Sequence, residues 1–351
     1  MKIGIITFHW AANYGAVLQA YALCEYLQDL GHDAEIINFY PPRYKKNIFR
    51  AIMTKHLKLI PKRIKEIPKE QEIEKFRTAY LRRSEYYSGN KKLKQKQPIY
   101  DCYICGSDQI WNMSFLRYGE RRKTYTYFLD FAPKEKILAS YAASFGTEIY
   151  ADDLHDDIKK YLKRLDFVSV REKTGLDIVN GLGIYNACVV PDPTLLLPKQ
   201  CYEKFLQNKD PKTEYAYSYM LHGRERDADI LFKQLKKSGI DIVYSSNGGI
   251  ENWLTEIYCS KIVITNSFHG VVFSIIFEKP FVAVLIEGSG MNDRILTLLH
   301  KLGLEDRIFN GDISIIHKAI NWQTALQKLN QYRESGIDFL NKVLSYKKDA
   351  T

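Results

Sequence analysis

The sequence has no apolar stretch that approaches the length needed to cross a bilayer. Its first residues, MKIGIITFHWAANYG, do not resemble a signal peptide, because the apolar run is short and is interrupted by His9 and Asn13. Short internal repeats and low-complexity tracts are also absent. We therefore expect a cytoplasmic protein, with the inner face of the membrane as an alternative place of action.

Cysteine is sparse, with six residues scattered along the chain. Cys102 and Cys105 form a CxxC, but the sequence offers no second pair and no nearby histidine to complete a zinc site. Both lie in a strand-like segment, IYDCYIC. This pattern favours buried thiols in a reducing compartment over a zinc or redox centre. We predict no metal ligands, and the need for a divalent metal stays open.

The opening segment also lacks a dinucleotide-binding fingerprint. It predicts a strand, a helix and a strand over 2–7, 16–30 and 34–40, but no GxGxxG joins the first strand to the helix. Asn13, Tyr14 and Gly15 fill this loop instead and are candidate substrate contacts. A helix N-terminus needs similar residue types for capping alone, which is the plain alternative.

The sequence does contain a regular alternation of strand and helix patterns along its 351 residues. That length suffices for two domains with separate cores, and the alternation predicts α/β domains. The expected boundary is the rigid bend Pro191-Asp192-Pro193, which gives domains over 1–190 and 191–351. We expect a cleft between them and amphipathic helices at the end of the chain. Asp192 is a further candidate substrate contact.

The net charge of +10 is a local feature, since residues 41–97 hold 18 Lys and Arg against 5 Asp and Glu. We interpret this segment as a mostly helical insertion in the first domain, broken at Pro61 and Pro68. A solvated helical face is the plain interpretation. Interleaved apolar residues such as Ile48 and Phe49 instead favour a surface that lies on an anionic membrane or holds an acidic glycan. No nucleic-acid-binding motif accompanies the charge, so nucleic acid is not an expected partner.

The segment 261–284, KIVITNSFHGVVFSIIFEKPFVAV, is the one around which the chain is organised. A β-branched run, turn residues, an apolar helix and a second strand-like run predict a buried βαβ unit. Ser267 is the expected N-cap, and Gly270 lets the backbone tighten. His269 then lies where the helix begins, beside backbone N–H groups that favour an anion. A histidine packed within a turn is the alternative.

Two other strand-like runs end in polar residues. Ser107 and Asp108 follow the first in GSDQIWN, where an Asx turn is the competing role for Asp108. Arg171 follows the second and is suited to bidentate capture of a carboxylate or phosphate. An ion pair with Glu172 or Asp177 is the alternative for this arginine.

Six stretches together resemble the polysaccharide pyruvyl transferase family: GIITFHWAANYGAVLQAYAL, YICGSDQIWN, ASYAASFG, VSVREKTG, VVPDPTLLL and ITNSFHGVVFSIIFEKPFVAV. Their order and spacing extend the resemblance from Gly4 to about Arg294. It implies a GT-B-like pair of Rossmann-like domains with the active site in the cleft. It also implies transfer of the pyruvyl group of phosphoenolpyruvate to hydroxyls of a sugar, which forms a ketal and releases phosphate.

The sequence departs from the family at its central motif. Many members carry Arg-Leu-His there, whereas this chain has Ser267, Phe268 and His269 and is similar to a sub-branch with Ser-Phe-His-Gly. A cationic donor two residues before the histidine is therefore lost. The candidates to replace it are Arg171, Lys279 and Arg294.

The resemblance suggests roles for the candidate site residues. We expect His269 to be a phosphate ligand or proton donor, Arg171 a carboxylate or phosphate clamp, and Asp108 a base or hydroxyl ligand. Asn13 would contact the sugar or the donor. The remaining candidate substrate contacts are Tyr14, Gly15, Ser107, Asp192, Ser267, Gly270 and Arg294.

The expected function is pyruvyl transfer onto a capsule, exopolysaccharide or cell-wall precursor, including one linked to a lipid. Phosphoenolpyruvate is the expected donor, no resident cofactor is firmly implied, and the sequence does not indicate an oligomeric state. One alternative is a glycosyltransferase of the same architecture with a nucleotide-sugar donor. Another is a non-catalytic scaffold that binds glycans or membranes through residues 41–97.

Overall fold

The computed structural model describes residues 1–41, 60–113, 124–147, 152–207, 214–221, 226–246 and 248–348. The chain forms two compact units. The first comprises Met1–Leu196 and Ser335–Thr351, and the second comprises Leu197–Glu334. The division therefore falls a few residues after the bend at 191–193, and the end of the last helix belongs to the first unit.

The first unit alternates short strands with helices. Its strands are β1 (Lys2–Ile6), β2 (Asp33–Ile36), β3 (Phe39–Tyr40), β4 (Tyr87–Ser88), β5 (Cys102–Cys105), β6 (Ile137–Ser140), β7 (Ser169–Val170) and β8 (Cys188–Val189). Its α-helices are α1 (Tyr14–Asp29), α2 (Ile60–Tyr80), α3 (Asn90–Gln95), α4 (His155–Leu162) and α5 (Lys173–Gly181). Short 3₁₀ turns cover Thr126–Phe128, Asp152–Leu154 and Pro193–Leu195.

The central sheet of the first unit is parallel, with the strand order β2-β1-β5-β6. Strand β1 lies inside it and is apolar almost throughout, because Ile3, Ile5 and Ile6 are all fully buried. Ile3 and Ile5 join one core cluster and Ile6 joins another, so both faces of the sheet are covered.

One strand expectation for the first unit is corrected. The run 34–40 is not one strand: β2 ends at Ile36, and β3 pairs with β4 outside the central sheet. The reason is a change of partner, since Ile37 N–H still bonds to Ile5 but Tyr87 N–H bonds to Asn38.

The basic segment 41–97 is partly described, and residues 42–59, including Ile48 and Phe49, lie outside the described residues. Helix α2 was expected to break at Pro68 but continues through it. Proline inside a helix costs about 3 kcal/mol, because it removes one hydrogen bond and crowds the preceding turn. Ile73 and Phe76 on this helix are fully buried, and this apolar burial offsets the cost. Pro61 lies in the first turn, where no N–H partner is lost.

The second unit repeats the alternation. Its strands are β9 (Tyr215–Tyr219), β10 (Asp241–Tyr244), β11 (Ile262–Thr265) and β12 (Phe281–Ala283). Its α-helices are α6 (Gln200–Glu203), α7 (Arg226–Lys237), α8 (Ile250–Cys259), α9 (Phe268–Ile276), α10 (Asp293–Leu302) and α11 (Trp322–Ser345), whose last residues belong to the first unit. Short 3₁₀ turns cover Gly290–Asn292, Glu305–Arg307 and Ile313–His317.

The sheet of the second unit is also parallel, with the strand order β10-β9-β11-β12. The two sheets therefore share one arrangement: β1 lies between β2 and β5, and β9 lies between β10 and β11. The predicted βαβ unit in 261–284 is confirmed as β11, α9 and β12, with all of α9 buried. Helix α9 covers one sheet face as a fully apolar helix does.

The structure also describes the CxxC thiols, the longest helices and the arrangement of possible metal ligands. Cys102 and Cys105 are free, fully buried thiols in β5, as predicted, and burial raises the pKa of Cys102 to about 12. Within the described ranges, no helix is long and apolar enough to cross a membrane. In the same part of the chain, no group of three or more His, Cys, Asp and Glu side chains is arranged to hold a metal ion.

Candidate functional site

The strand order of each unit reverses beside its first strand, which defines a topological switch point. In open α/β sheets, ligands bind outside the carboxyl ends of the two strands that flank this point. In the first unit these strands are β1 and β5, and in the second they are β9 and β11. The loops that follow these four strands contain the residues around Asn13, Asp108 and His269. The predicted site residues therefore concentrate at two switch points, one in each unit.

A hydrogen-bonded chain ties together the two loops at the first switch point. The Gln19 side chain donates to Thr7 Oγ1 at 2.8 Å and accepts from Ser107 N–H at 3.1 Å. The Thr7 hydroxyl in turn donates to the Ser107 carbonyl at 3.0 Å. All three residues are fully buried, so the loops after β1 and β5 are held as one rigid rim.

Asn13, Tyr14 and Gly15 lie at the start of α1. Asn13 is the N-cap, and its side-chain oxygen accepts from Ala16 N–H at 3.1 Å, so the capping alternative is realised. Tyr14 and Gly15 are buried in the first turn, while Asn13 stays partly exposed. Of the three, Asn13 is the residue that a substrate could reach.

Arg171 is buried in an ion pair at the first switch point. Its Nη1 lies 2.6 Å from Asp192 Oδ2, and both side chains are almost fully excluded from solvent. The Ser107 hydroxyl lies within 3.1 Å of the same carboxylate oxygen. Asp192 Oδ1 accepts from the backbone and hydroxyl of Thr194, at 3.0 and 2.7 Å. The principal partner is thus Asp192, which the sequence analysis did not pair with Arg171.

Two further carboxylates surround the guanidinium, at 3.6 Å in Asp108 and 3.9 Å in Glu172. Burial by itself would lower the pKa of Arg171, but the charges of Asp192, Asp108 and Glu172 outweigh it and raise the pKa. Asp108 has a φ of 67°, and its side chain retains 15% exposure, more than the other members of the cluster. This geometry presents Asp108 at the edge of a cluster in which three carboxylates surround one guanidinium.

The second switch point is built around the N-terminus of α9. Ser267 is the N-cap, and its hydroxyl accepts from Gly270 N–H at 3.3 Å, as the sequence predicts. A Cβ at Gly270 would lie 2.4 Å from Thr265 Oγ1, so the close approach of α9 to the end of β11 requires glycine. His269 lies in this first turn with 7% exposure, and its ring packs edge-on against Phe268 at 5.1 Å between centroids.

Asn266 lies directly after β11, at a position for which the sequence predicted only a turn. Its side-chain oxygen accepts from Leu221 N–H at 2.8 Å, which ties the loop after β9 to the loop after β11. Its Nδ2 makes no hydrogen bond within the described residues, although the atom is buried. A buried amide donor beside a helix N-terminus is a group that an anionic ligand would satisfy. The sequence signal that could have identified Asn266 is its position at the end of a buried strand, directly before a predicted N-cap.

Arg294 and Lys279 differ in their relation to this site. The Arg294 guanidinium lies 6.0 Å from the ring centroid of Phe268, the first residue of α9, and its Nε donates to the Met291 carbonyl. Lys279 follows the other end of α9 and lies over Tyr258. A helix of nine residues is about 13 Å long, so Lys279 is remote from the N-terminus. Arg294 is the better-placed cation of the two.

The sequence profile of the polysaccharide pyruvyl transferase family matches residues 13–288. The chain belongs to this family. The match includes the first switch point from Asn13 onward and the whole βαβ unit that contains His269. A search of curated protein sequences gave no match.

A solved structure supports the fold of this pyruvyl transferase family member. UDP-N-acetylglucosamine 2-epimerase from Rickettsia bellii is similar with a TM-score of 0.55 and 9% identity, over 98% of this chain and 96% of the other. The E. coli heptosyltransferase WaaC has a TM-score of 0.36 and 13% identity, over 81% and 88% of the two chains. At such identity the likeness concerns fold alone. The fold class is α/β with two Rossmann-like units of the GT-B type, as expected.

Proposed function

We propose that the protein transfers the pyruvyl group of phosphoenolpyruvate to hydroxyls of a sugar in a polysaccharide or cell-wall precursor. Family membership supports pyruvyl transfer to a polysaccharide. The observation that carries the choice of donor is the second switch point, where His269 and the Nδ2 of Asn266 accompany the N-terminus of α9. These donors suit the phosphate and carboxylate of phosphoenolpyruvate.

The reaction needs two proton transfers and no oxidant or reductant. Two sugar hydroxyls form C–O bonds to the central carbon of the enol, and the C–O bond to phosphate breaks. One hydroxyl proton reaches the methylene carbon, which becomes a methyl group, and the other leaves with inorganic phosphate. A general acid and a general base are therefore required.

The second unit supplies the donor side in this proposal. Phosphate or carboxylate oxygens would accept from Asn266 Nδ2 and from the backbone at the start of α9. His269 binds the phosphate or delivers the proton to the methylene carbon. Arg294 contributes the cationic charge that the central motif lacks at Ser267, because its guanidinium lies beside Phe268.

The first unit supplies the acceptor side. Asp108 is the proposed base or hydroxyl ligand, since it is the most exposed carboxylate of the cluster around Arg171. Asn13 is the proposed sugar contact. The pair with Asp192 changes the role that we propose for Arg171, because a guanidinium already neutralised by a carboxylate at 2.6 Å is a weak anion clamp. We assign it to holding Asp108 and Ser107 in place.

An acceptor linked to a lipid is a finer proposal that rests on charge. The second unit holds 17 Lys and Arg against 16 Asp and Glu, so nearly all of the net charge of +10 belongs to the first unit. Each basic residue near an anionic surface contributes about 1 kcal/mol, and the attraction fades within a Debye length. Co-sedimentation with phosphatidylserine vesicles should be strong at low salt and fall steeply as salt rises. Absence of binding at low salt would remove the membrane from the proposal.

The proposed function is tested by offering the protein both donor classes with a panel of p-nitrophenyl glycosides. With phosphoenolpyruvate we expect phosphate release that depends on the glycoside, and a product heavier than the glycoside by pyruvate less one water. With UDP-N-acetylglucosamine we expect no product. Glycosyl transfer from the nucleotide sugar, with no reaction of phosphoenolpyruvate, would replace the proposal with the glycosyltransferase alternative.

A further inference from the structure

The loop between β1 and α1 is gripped by an arginine from a distant helix. Arg77 of α2 is fully buried, and its Nη2 donates to the carbonyls of Trp10 and Ala11, at 3.0 and 2.7 Å. These two carbonyls lie in the segment that leads to Asn13. One guanidinium nitrogen therefore fixes two successive peptide groups of a loop that lies 66 residues away in the chain.

The charge of Arg77 is balanced within its own helix. Its Nη1 lies 2.7 Å from a Glu70 oxygen and 3.0 Å from a Glu74 oxygen. Both carboxylates are partly exposed, at 40% and 25%, so the arginine alone is fully desolvated. A buried cation is tolerated when carboxylates and carbonyls engage its donors, as they do here at both terminal nitrogens, Nη1 and Nη2. The planar fork can face the carboxylates and the loop at once, which an ammonium group could not do.

Other contacts hold the same loop from different directions. The Trp10 indole donates to the Tyr127 hydroxyl at 2.8 Å, and His9 Nε2 lies 3.2 Å from Asn38 Oδ1. The Lys69 ammonium of α2 lies 4.2 Å from the ring centroid of Tyr14. The inner side of the loop is thus fully engaged, while Ala12 is exposed and Asn13 partly exposed on the outer side.

Helix α2 also differs in charge from the rest of the basic segment. It holds four of the five acidic residues in 41–97, and two of these pair with Arg77. The remaining excess of positive charge lies before and after this helix in the sequence. Helix α2 is therefore better described as a support for the loop than as part of a uniformly basic surface.

We propose that Arg77 is a positioning residue that sets the backbone of residues 10–13 so that the loop is preformed to receive the acceptor. The inference rests on the proposed function, because it takes the loop at the first switch point as the acceptor side. Arg77 itself touches no substrate in this proposal. Its effect passes through the two carbonyls and the N-cap residue Asn13 that follows them.

The test compares Arg77→Lys with Arg307→Lys in the full-length protein. Arg307 is an equally buried arginine in the second unit that also donates to two backbone carbonyls, those of Ile315 and Lys318. It controls for the general cost of removing a buried guanidinium fork. The readouts are the KM values for phosphoenolpyruvate and for the best p-nitrophenyl glycoside, and amide hydrogen exchange in residues 8–13.

We expect Arg77→Lys to raise the glycoside KM by about tenfold and to leave the phosphoenolpyruvate KM near its original value. Exchange in 8–13 should accelerate by about tenfold, because the loop opens more readily. Arg307→Lys should change neither. If Arg77→Lys lowers the melting temperature as Arg307→Lys does but leaves the glycoside KM and the loop exchange unchanged, the positioning role is overturned.

Failure of the proposed function is distinguishable from failure of this inference. If wild-type protein neither reacts with phosphoenolpyruvate nor is stabilised by it, the proposed function is wrong, whatever the result for Arg77. The exchange comparison then decides whether Arg77 holds the loop. Unchanged exchange in Arg77→Lys overturns that role, and faster exchange confined to the loop supports it.

Discussion

The two switch points occupy the same place in sheets of the same strand order, yet they differ in how their polar groups are used. At the first, Arg171 is paired with Asp192 at 2.6 Å, and the Ser107 hydroxyl shares the same carboxylate in a buried network. At the second, an apolar helix presents its N-terminus beside Asn266, whose buried Nδ2 has no partner among the described residues.

This difference separates a site whose cation is already ion-paired from a site with a spare amide donor. An anion at the first switch point would compete with Asp192 for a guanidinium that is already paired. An anion at the second would satisfy an amide that burial otherwise penalises. We infer that the second unit binds the anionic donor and that the charges of the first unit organise the acceptor side.

The largest expected effect concerns His269, the group that we assign to the chemistry. His269→Ala should lower kcat/KM for phosphoenolpyruvate by about 10⁴-fold, since the phosphate ligand or proton donor of the reaction would be lost. The matched control is His300→Ala, which removes an exposed histidine that pairs with Glu305 in the same unit. Steady-state kinetics and circular dichroism of both variants make the check. Near-normal turnover of His269→Ala would remove the distinction between the two switch points.

The second effect concerns the buried ion pair of the first unit. Arg171→Met leaves Asp192 without its cation, and we expect a loss of about 3–5 kcal/mol in the free energy of unfolding. Lys261→Met breaks an exposed pair with Glu214 in the second unit and should cost about 0–1 kcal/mol. Urea denaturation measures both. Equal, small losses would show that Arg171 is not a structural partner and would return it to the role of a substrate clamp.

The third effect is a pH dependence that arises in the first unit. Burial, aided by the charge of Arg77, lowers the pKa of His9 from 6.5 to about 3. The stability that His9 contributes is complete above pH 6.5 and is lost as the pH falls from 6.5 toward 3, because only the unfolded chain takes up the proton. At pH 5 the loss is about 2 kcal/mol. The melting temperature should therefore fall less between pH 8 and pH 5 in His9→Gln than in wild type. An equal fall in both proteins would contradict the assignment.

The smallest effect distinguishes the two cations near α9. Arg294→Gln should raise the KM for phosphoenolpyruvate by about 5- to 30-fold, as expected for one charge-assisted contact worth about 1–2 kcal/mol. Lys279→Gln, at the other end of the helix, should leave this KM unchanged. The opposite ranking would mean that Lys279 supplies the missing charge.

The sequence predicted best what depends on neighbours in the chain. The βαβ unit in 261–284 and the N-cap at Ser267 follow from local patterns, and the structure confirms them. At Asn13 the structure shows the capping role that was the alternative to a substrate contact. Alternating strand and helix patterns likewise predicted the fold class.

Pairings between distant residues were not predictable in the same way. Arg171 pairs with Asp192, 21 residues away in the chain. The two residues meet because β7 and β8 pair in parallel, and each residue follows one of these strands. Arg77 reaches Trp10 across 67 residues, from a helix that continues through Pro68 against the local preference. Such contacts require the topology, which sequence periodicity does not specify.

The central claim is that the N-terminus of α9 binds phosphoenolpyruvate, and thermal unfolding with and without this ligand tests it most directly. At 100 times the dissociation constant, a ligand of the native state adds about 2.7 kcal/mol to the free energy of unfolding. We predict that phosphoenolpyruvate raises the melting temperature of wild type and not of His269→Ala, and that UDP-N-acetylglucosamine raises neither. Stabilisation by the nucleotide sugar alone, or an equal response of both proteins to phosphoenolpyruvate, would contradict the claim.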